Sequence, residues 1–129
     1  MSDSKTVPTP VVERMREHDA WNPLWDELYD WDPAWTEQFM ATAMQPWLSG
    51  VLEPKFVELL AIAVDASATH MYAPGVRRHI RTALRLGATR AEILEVLKLT
   101  TLVGIHACNV GVPILAEEID SRQQRGDGG

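Results

Sequence analysis

The sequence predicts an all-α, single-domain fold of about six helices, on three observations. No run of alternating β-branched residues appears anywhere in it. Helix-opening residues recur along the chain, at Pro10, Asn22-Pro23, Asp32-Pro33, Pro54, Pro74-Gly75 and Thr89. Between them, apolar residues return at three- and four-residue spacings. At 129 residues the chain has room for one domain with a real core and none for a second. With 46% apolar and 23% charged residues, it is neither a disordered nor a collagen-like composition.

Taken in order, residues 1–10 are expected to be loose, and a short helix from about Thr9 to Asp19 has Pro10 at its first position. Asn22-Pro23 opens a second helix, with Leu24, Trp25 and Leu28 on one side. Asp32-Pro33 opens a third, carrying Trp35, Phe39, Met40, Ala43 and Trp47 to its end at Ser49-Gly50. Pro54 starts a helix that is apolar almost all round from Phe56 to Val64, apart from a stripe of Glu58, Asp65 and Thr69. Residues 70–73 read as a linker. Pro74-Gly75 then opens a two-sided helix that Gly87 stops. Thr89 and Glu92 form a capping box for a last long helix, expected to run to about Val112 and break at Pro113. The tail QQRGDGG is expected to be disordered by composition.

Three segments follow from the distribution of charge and tryptophan. Residues 1–53 hold ten acids and three bases, and all five tryptophans, so this reads as an acidic, aromatic segment packed on a core at 54–121. Residues 54–129 hold eight acids and nine bases, and 122–129 form the tail. The overall charge of −6 argues against nucleic-acid binding. A single cysteine excludes an internal disulfide, and the first ten residues have no apolar core of a signal peptide, so the expectation is cytoplasmic. The most apolar stretch, Ile93 to Leu115, carries Glu95, Lys98, His106, Asn109 and Pro113. It is expected to be a buried helix, with no membrane contact.

Candidate functional residues cluster on the two central helices. On the helix opened by Pro74, Val76, Ile80, Ala83 and Leu84 form one face and Arg77, Arg78, Arg81 and Arg85 the other, with His79 among the apolar group. A histidine there is either a hydrogen-bonded core residue or a general acid/base at a pocket wall. Glu58 is either an exposed carboxylate near Lys55 or a part-buried one needing a cationic or imidazole partner, for which His79 and the arginines are candidates. The arginines serve as a solvated face, as an interface to the acidic segment, or, at Arg77 and Arg78, as a carboxylate anchor. His106 and Cys108 leave their helix on opposite sides, so Cys108 is expected to be a small buried hydrophobe. The four histidines show no metal-ligand spacing, and no metal is expected. Thr100, Gly104, Ala107 and Gly111 make a small-residue stripe.

The run LEPKFVELLAIAVDASATHMYAPGVRRHIRTALRLGATRAEILEVL, continued by LKLTTLVGIHACNVGVPIL, resembles the carboxymuconolactone decarboxylase and alkyl hydroperoxidase D family over about residues 52–116. Glu58, His79 and the Gly87-Ala88-Thr89…Glu92-Ile93 junction carry the resemblance. It implies an alkyl hydroperoxidase D-like helical fold, assembled as a homotrimer or homohexamer with sites at subunit contacts. The family's peroxidase branch places a CxxC pair where this chain reads Thr69-His70-Met71-Tyr72-Ala73-Pro74, without cysteine. The chain is thus more similar to the decarboxylase branch, which uses no cofactor.

The expected function is therefore a cofactor-independent lyase acting on a small carboxylated keto acid or lactone. His79 would be the acid/base, Glu58 its orienting partner, His70 a second donor, Arg77 or Arg78 the carboxylate anchor, and Trp47 part of the pocket lining. The alternatives are peroxide reduction through Cys108 and a non-catalytic oligomeric ligand-binding module. Simple antiparallel pairing of the two helices would set Glu58 and His79 a turn or more apart, leaving open whether they meet within one chain.

Overall fold

The computed structural model describes residues 7–127. The looseness expected for residues 1–6, and for the last two residues of the tail, lies outside them. The described residues are helical, with no strand among them: α1 Pro10–Glu17, α2 Asp26–Trp31, α3 Pro33–Ala43, α4 Gln45–Ser49, α5 Pro54–Ala66, α6 Ala73–Arg85, α7 Arg90–Thr100 and α8 His106–Asp127. One-turn 3-10 segments precede α2 and follow α7. Prolines open α1, α3, α4, α5 and α6 within their first two positions, where a missing N–H costs nothing.

Side-chain caps fix several of these starts. Asp32 accepts from the Trp35 N–H at 3.0 Å, and Thr89 and Glu92 form the expected capping box. The first turn of α1 is capped from a distance, because the Glu37 carboxylate on α3 accepts from the N–H groups of Val11 and Val12. That bond ties α1 to α3 over a first apolar cluster of Val12, Met15, Trp21 and Met40.

A second cluster, Ile62, Ala83, Ala88 and Ile93, holds α5, α6 and α7 together. Helices α5 and α6 pack as an antiparallel hairpin joined by residues 67–72. Gly87 closes α6 with φ +96°, a left-handed conformation that a side chain would strain. The N-terminal segment meets this hairpin through Asn22, whose amide donates to the Tyr72 hydroxyl, and through the Arg81–Asp19 ion pair at 3.2 Å.

The C-terminal third departs from expectation in four ways. The helix does not continue to Val112 but breaks at residues 101–105, where the Thr100 and Thr101 hydroxyls bond back to the carbonyls of Leu97 and Lys98 at 2.6 Å. Such back-bonding bends a helix, and Gly104 weakens it further. Pro113 lies inside α8 and does not end it. On an exposed helix, water can take the carbonyl that proline leaves without a donor. Residues 122–127 extend α8 and are not a disordered tail.

Finally, residues 101–126 are exposed throughout, so this stretch is not a buried core helix, and Cys108 is exposed where a buried hydrophobe was expected. The reason is placement: α8 runs off the α5–α6–α7 core and contacts the 3-10 turn before it. By length and composition alone, the helical stretch Arg90–Gly126 is apolar enough to cross a membrane.

Candidate active site

Glu58 enters the α5–α6 interface because it shares a face of α5 with Val57, Ala61 and Ile62, all buried. Its residue exposure is only 6%. A carboxylate at that depth needs partners, and it has two. The indole Nε1 of Trp47, on α4, donates to Oε1 at 2.8 Å. His79 Nδ1 lies 2.6 Å from Oε2. Trp47 also stacks on the imidazole, with ring centroids 5.7 Å apart and planes 21° apart. One tryptophan therefore fixes both members of the pair. Lys55 does not neutralise Glu58, because it pairs with Glu92 at 2.8 Å.

The other imidazole nitrogen also faces a carboxylate. Nε2 of His79 lies 3.3 Å from Oδ2 of Asp65, and Oδ1 of that same Asp65 lies 3.2 Å from Nε2 of His70. In the sequence Asp65 stands out only as part of a polar stripe and not as a candidate site residue. Its signal was present, since it stands on the same polar stripe of α5 as Glu58. Backbone geometry fixes its position as well: its carbonyl accepts from the Tyr72 N–H at 2.7 Å. The carboxylate rests against Gly75, where any Cβ would overlap it.

Glu58, His79, Asp65 and His70 thus form one continuous chain of titratable groups. Carboxylates only accept hydrogen bonds, whereas a neutral imidazole donates through one nitrogen alone. Satisfying both contacts of His79 takes one proton more than two carboxylates and a neutral imidazole carry. Along this chain of groups the side chains of Glu58, His79, Asp65 and His70 are 8%, 19%, 14% and 51% exposed, so the first three are shielded and only the His70 end is open to solvent.

The other expected site residues fall around this chain. Arg78 lies over the rings of Trp25 and Tyr72, at 5.8 and 5.9 Å, bridging the N-terminal segment to the hairpin. Arg77 is exposed and lines an open groove of about 490 Å³ with Ala66, Met71, Ala73, Val76 and Ile80. Neither Glu58 nor His79 lines that groove. Trp47 acts on the pair directly and does not line the groove. Cys108, on the exposed α8, belongs to neither feature. Among the described residues, no group of three or more His, Cys, Asp or Glu side chains is arranged to hold a metal ion.

No functionally curated protein matches the chain. A crystal structure from Burkholderia xenovorans, named as a putative gamma-carboxymuconolactone decarboxylase subunit, is 41% identical, with a TM-score of 0.76 over 90% of this chain. The match covers 47% of that protein, so the present chain spans about half its length. The family model for carboxymuconolactone decarboxylases matches residues 33–110, from the start of α3 into α8, and includes Trp47, Glu58, Asp65, His70 and His79. The chain belongs to the carboxymuconolactone decarboxylase family.

Proposed function

We propose that this protein is a cofactor-independent lyase that decarboxylates a small keto acid or lactone by general acid/base catalysis. The observation that carries the reading is the buried Glu58–His79 contact, held on its other side by Trp47. Loss of CO2 leaves its bonding electrons on the substrate as an enolate, which must then receive a proton at carbon. His79 supplies that proton, and Glu58 fixes its ring orientation. Of the two candidate carboxylate anchors, Arg77 is the one not engaged by aromatic rings, whereas Arg78 lies over Trp25 and Tyr72. Peroxide reduction draws no support from Cys108, which stands apart from the titratable chain.

The same reading includes self-association. A monomer of 14.4 kDa is expected to expose about 6,800 Å². This chain exposes 9836 Å², an excess of about 3,000 Å² over that expectation. A standard interface takes about 800 Å² from each partner. The apolar stripe Phe56, Leu60 and Val64 is 50%, 56% and 62% exposed, and α8 adds Val110, Ile114 and Leu115. A second copy fits these surfaces better than a bilayer does, since α7 packs by Ile93 against the core and the stretch breaks at residues 101–105. A homotrimer or homohexamer is the expected form.

The function is tested by incubating the protein with a panel of lactones and keto acids, without added metal or cofactor, while CO2 release is followed. At least one compound should be decarboxylated. The reading is overturned if none is, while peroxide is consumed and alkylation of Cys108 stops it.

A further inference from the structure

We infer that Asp65 is a positioning residue that couples His79 to His70, making a proton path from the buried pair to solvent. This rests on the acid/base reading of His79 and extends it to the question of how His79 is recharged after each turnover. Three independent features place the Asp65 carboxylate: its two imidazole contacts, the Tyr72 N–H on its own carbonyl, and the side-chain-free surface of Gly75. The path also runs the right way. Glu58 is closed off by Trp47 and α6, whereas His70 sits half exposed in the loop between α5 and α6.

The proton balance is simple. After His79 gives its Nε2 proton to the substrate carbanion, His70 takes one proton from water at Nδ1 and passes its Nε2 proton to Oδ1 of Asp65. Rotation of the Asp65 carboxyl group turns that proton toward His79, and Asp65 gives it to Nε2 of His79 and returns to the carboxylate. Exchange with water restores the His70 tautomer. One proton moves inward, and no oxidant or reductant is involved. The titratable and charged groups facing His79 and His70 are Glu58 and Asp65 from α5 and Tyr72 at the head of α6. Arg78 lies over the Tyr72 ring.

Two measurements test the bridge. The first needs no substrate: histidine side-chain 15N NMR on the intact protein, with resonances assigned from His70→Gln and His79→Gln. Protonating His70 should move the His79 nitrogen shifts in the wild type and leave them unmoved in Asp65→Asn. The second uses turnover: His70→Ala should slow catalysis roughly tenfold or more in dilute buffer, and added imidazole should restore it. The inference is overturned if the His79 shifts ignore His70 in the wild type, if Asp65→Asn leaves the coupling intact, or if His70→Ala turns over at the wild-type rate. Full turnover by His79→Gln would instead remove the acid/base reading itself, and the path with it.

Discussion

Nδ1 of His79 lies 2.6 Å from Oε2 of Glu58, across two helices and 21 positions of sequence. Both side chains are largely withdrawn from water, so the contact is a buried one and not a surface ion pair. Breaking it from one side leaves the other member without its partner.

His79→Ala should therefore destabilise the fold by about 3 kcal/mol, a fall in Tm of roughly 10 °C. His79→Gln, which keeps an amide donor, should cost much less. Thermal denaturation of the two variants beside Glu58→Gln checks this. Equal melting temperatures for His79→Ala and wild type would show that Glu58 does not depend on its imidazole.

Trp47→Phe keeps the aromatic stack and removes the indole N–H. It should cost about 2 kcal/mol, the worth of a hydrogen bond to a charged acceptor. It should also lower turnover, because Glu58 then has one anchor in place of two. Denaturant titration and steady-state kinetics read the two effects separately.

Glu92 provides a pH dependence remote from the site. Its carboxyl is held below the ordinary glutamate value of 4.5, first by the hydrogen bond from Lys55 and then by the Thr89 N–H. A depressed folded value means that the stabilisation is complete above the unfolded value and is lost as pH falls through the folded one. Glu92→Gln should thus lower stability at neutral pH, and the difference from wild type should shrink in acid below about pH 4. Denaturation curves between pH 3 and pH 7 give the comparison. A difference that grew in acid would contradict the Lys55–Glu92 assignment.

The exposed apolar stripe predicts assembly. Light scattering at micromolar concentration should give a trimer or larger, and Leu60→Glu should shift the mass toward the single chain. A wild-type mass near 14 kDa would refute assembly.

Most helical elements around the site are legible in the sequence because their signals are local, but the single helix expected from Asp32-Pro33 to Ser49-Gly50 is two, α3 and α4, parted at Met44 with Pro46 in the first turn of α4. Prolines mark the helix starts, Thr89 and Glu92 cap α7, and Gly87 stops α6. The Glu58–His79 partnership was legible from faces, since each residue breaks the character of its own surroundings. The two residues meet within one chain, closer along the helix axes than the turn or more that simple antiparallel pairing implies. With Ala66 opposite Ala73, His79 falls level with residue 60, so Glu58 is offset by about 3 Å, at 1.5 Å per residue.

Asp65 was missed because its partners depend on the loop geometry of residues 67–72 and on the absence of a side chain at Gly75, both tertiary facts. The fate of the C-terminal third was misjudged because apolar periodicity cannot tell burial within a chain from burial against another. The residues from Ile105 to Ile119 are as apolar as a core helix, yet they face outward.

The central claim is that His79 delivers a proton to substrate carbon, and it can be measured directly. The first compound found to lose CO2 should be turned over in D2O by wild type and by His79→Gln, with deuterium followed by NMR at the carbon that lost CO2. The account predicts deuterium delivered to one face by the wild type, and a rate lower by roughly a hundredfold or more in the folded variant. Deuterium delivered by His79→Gln at the wild-type rate and to the same face would contradict it.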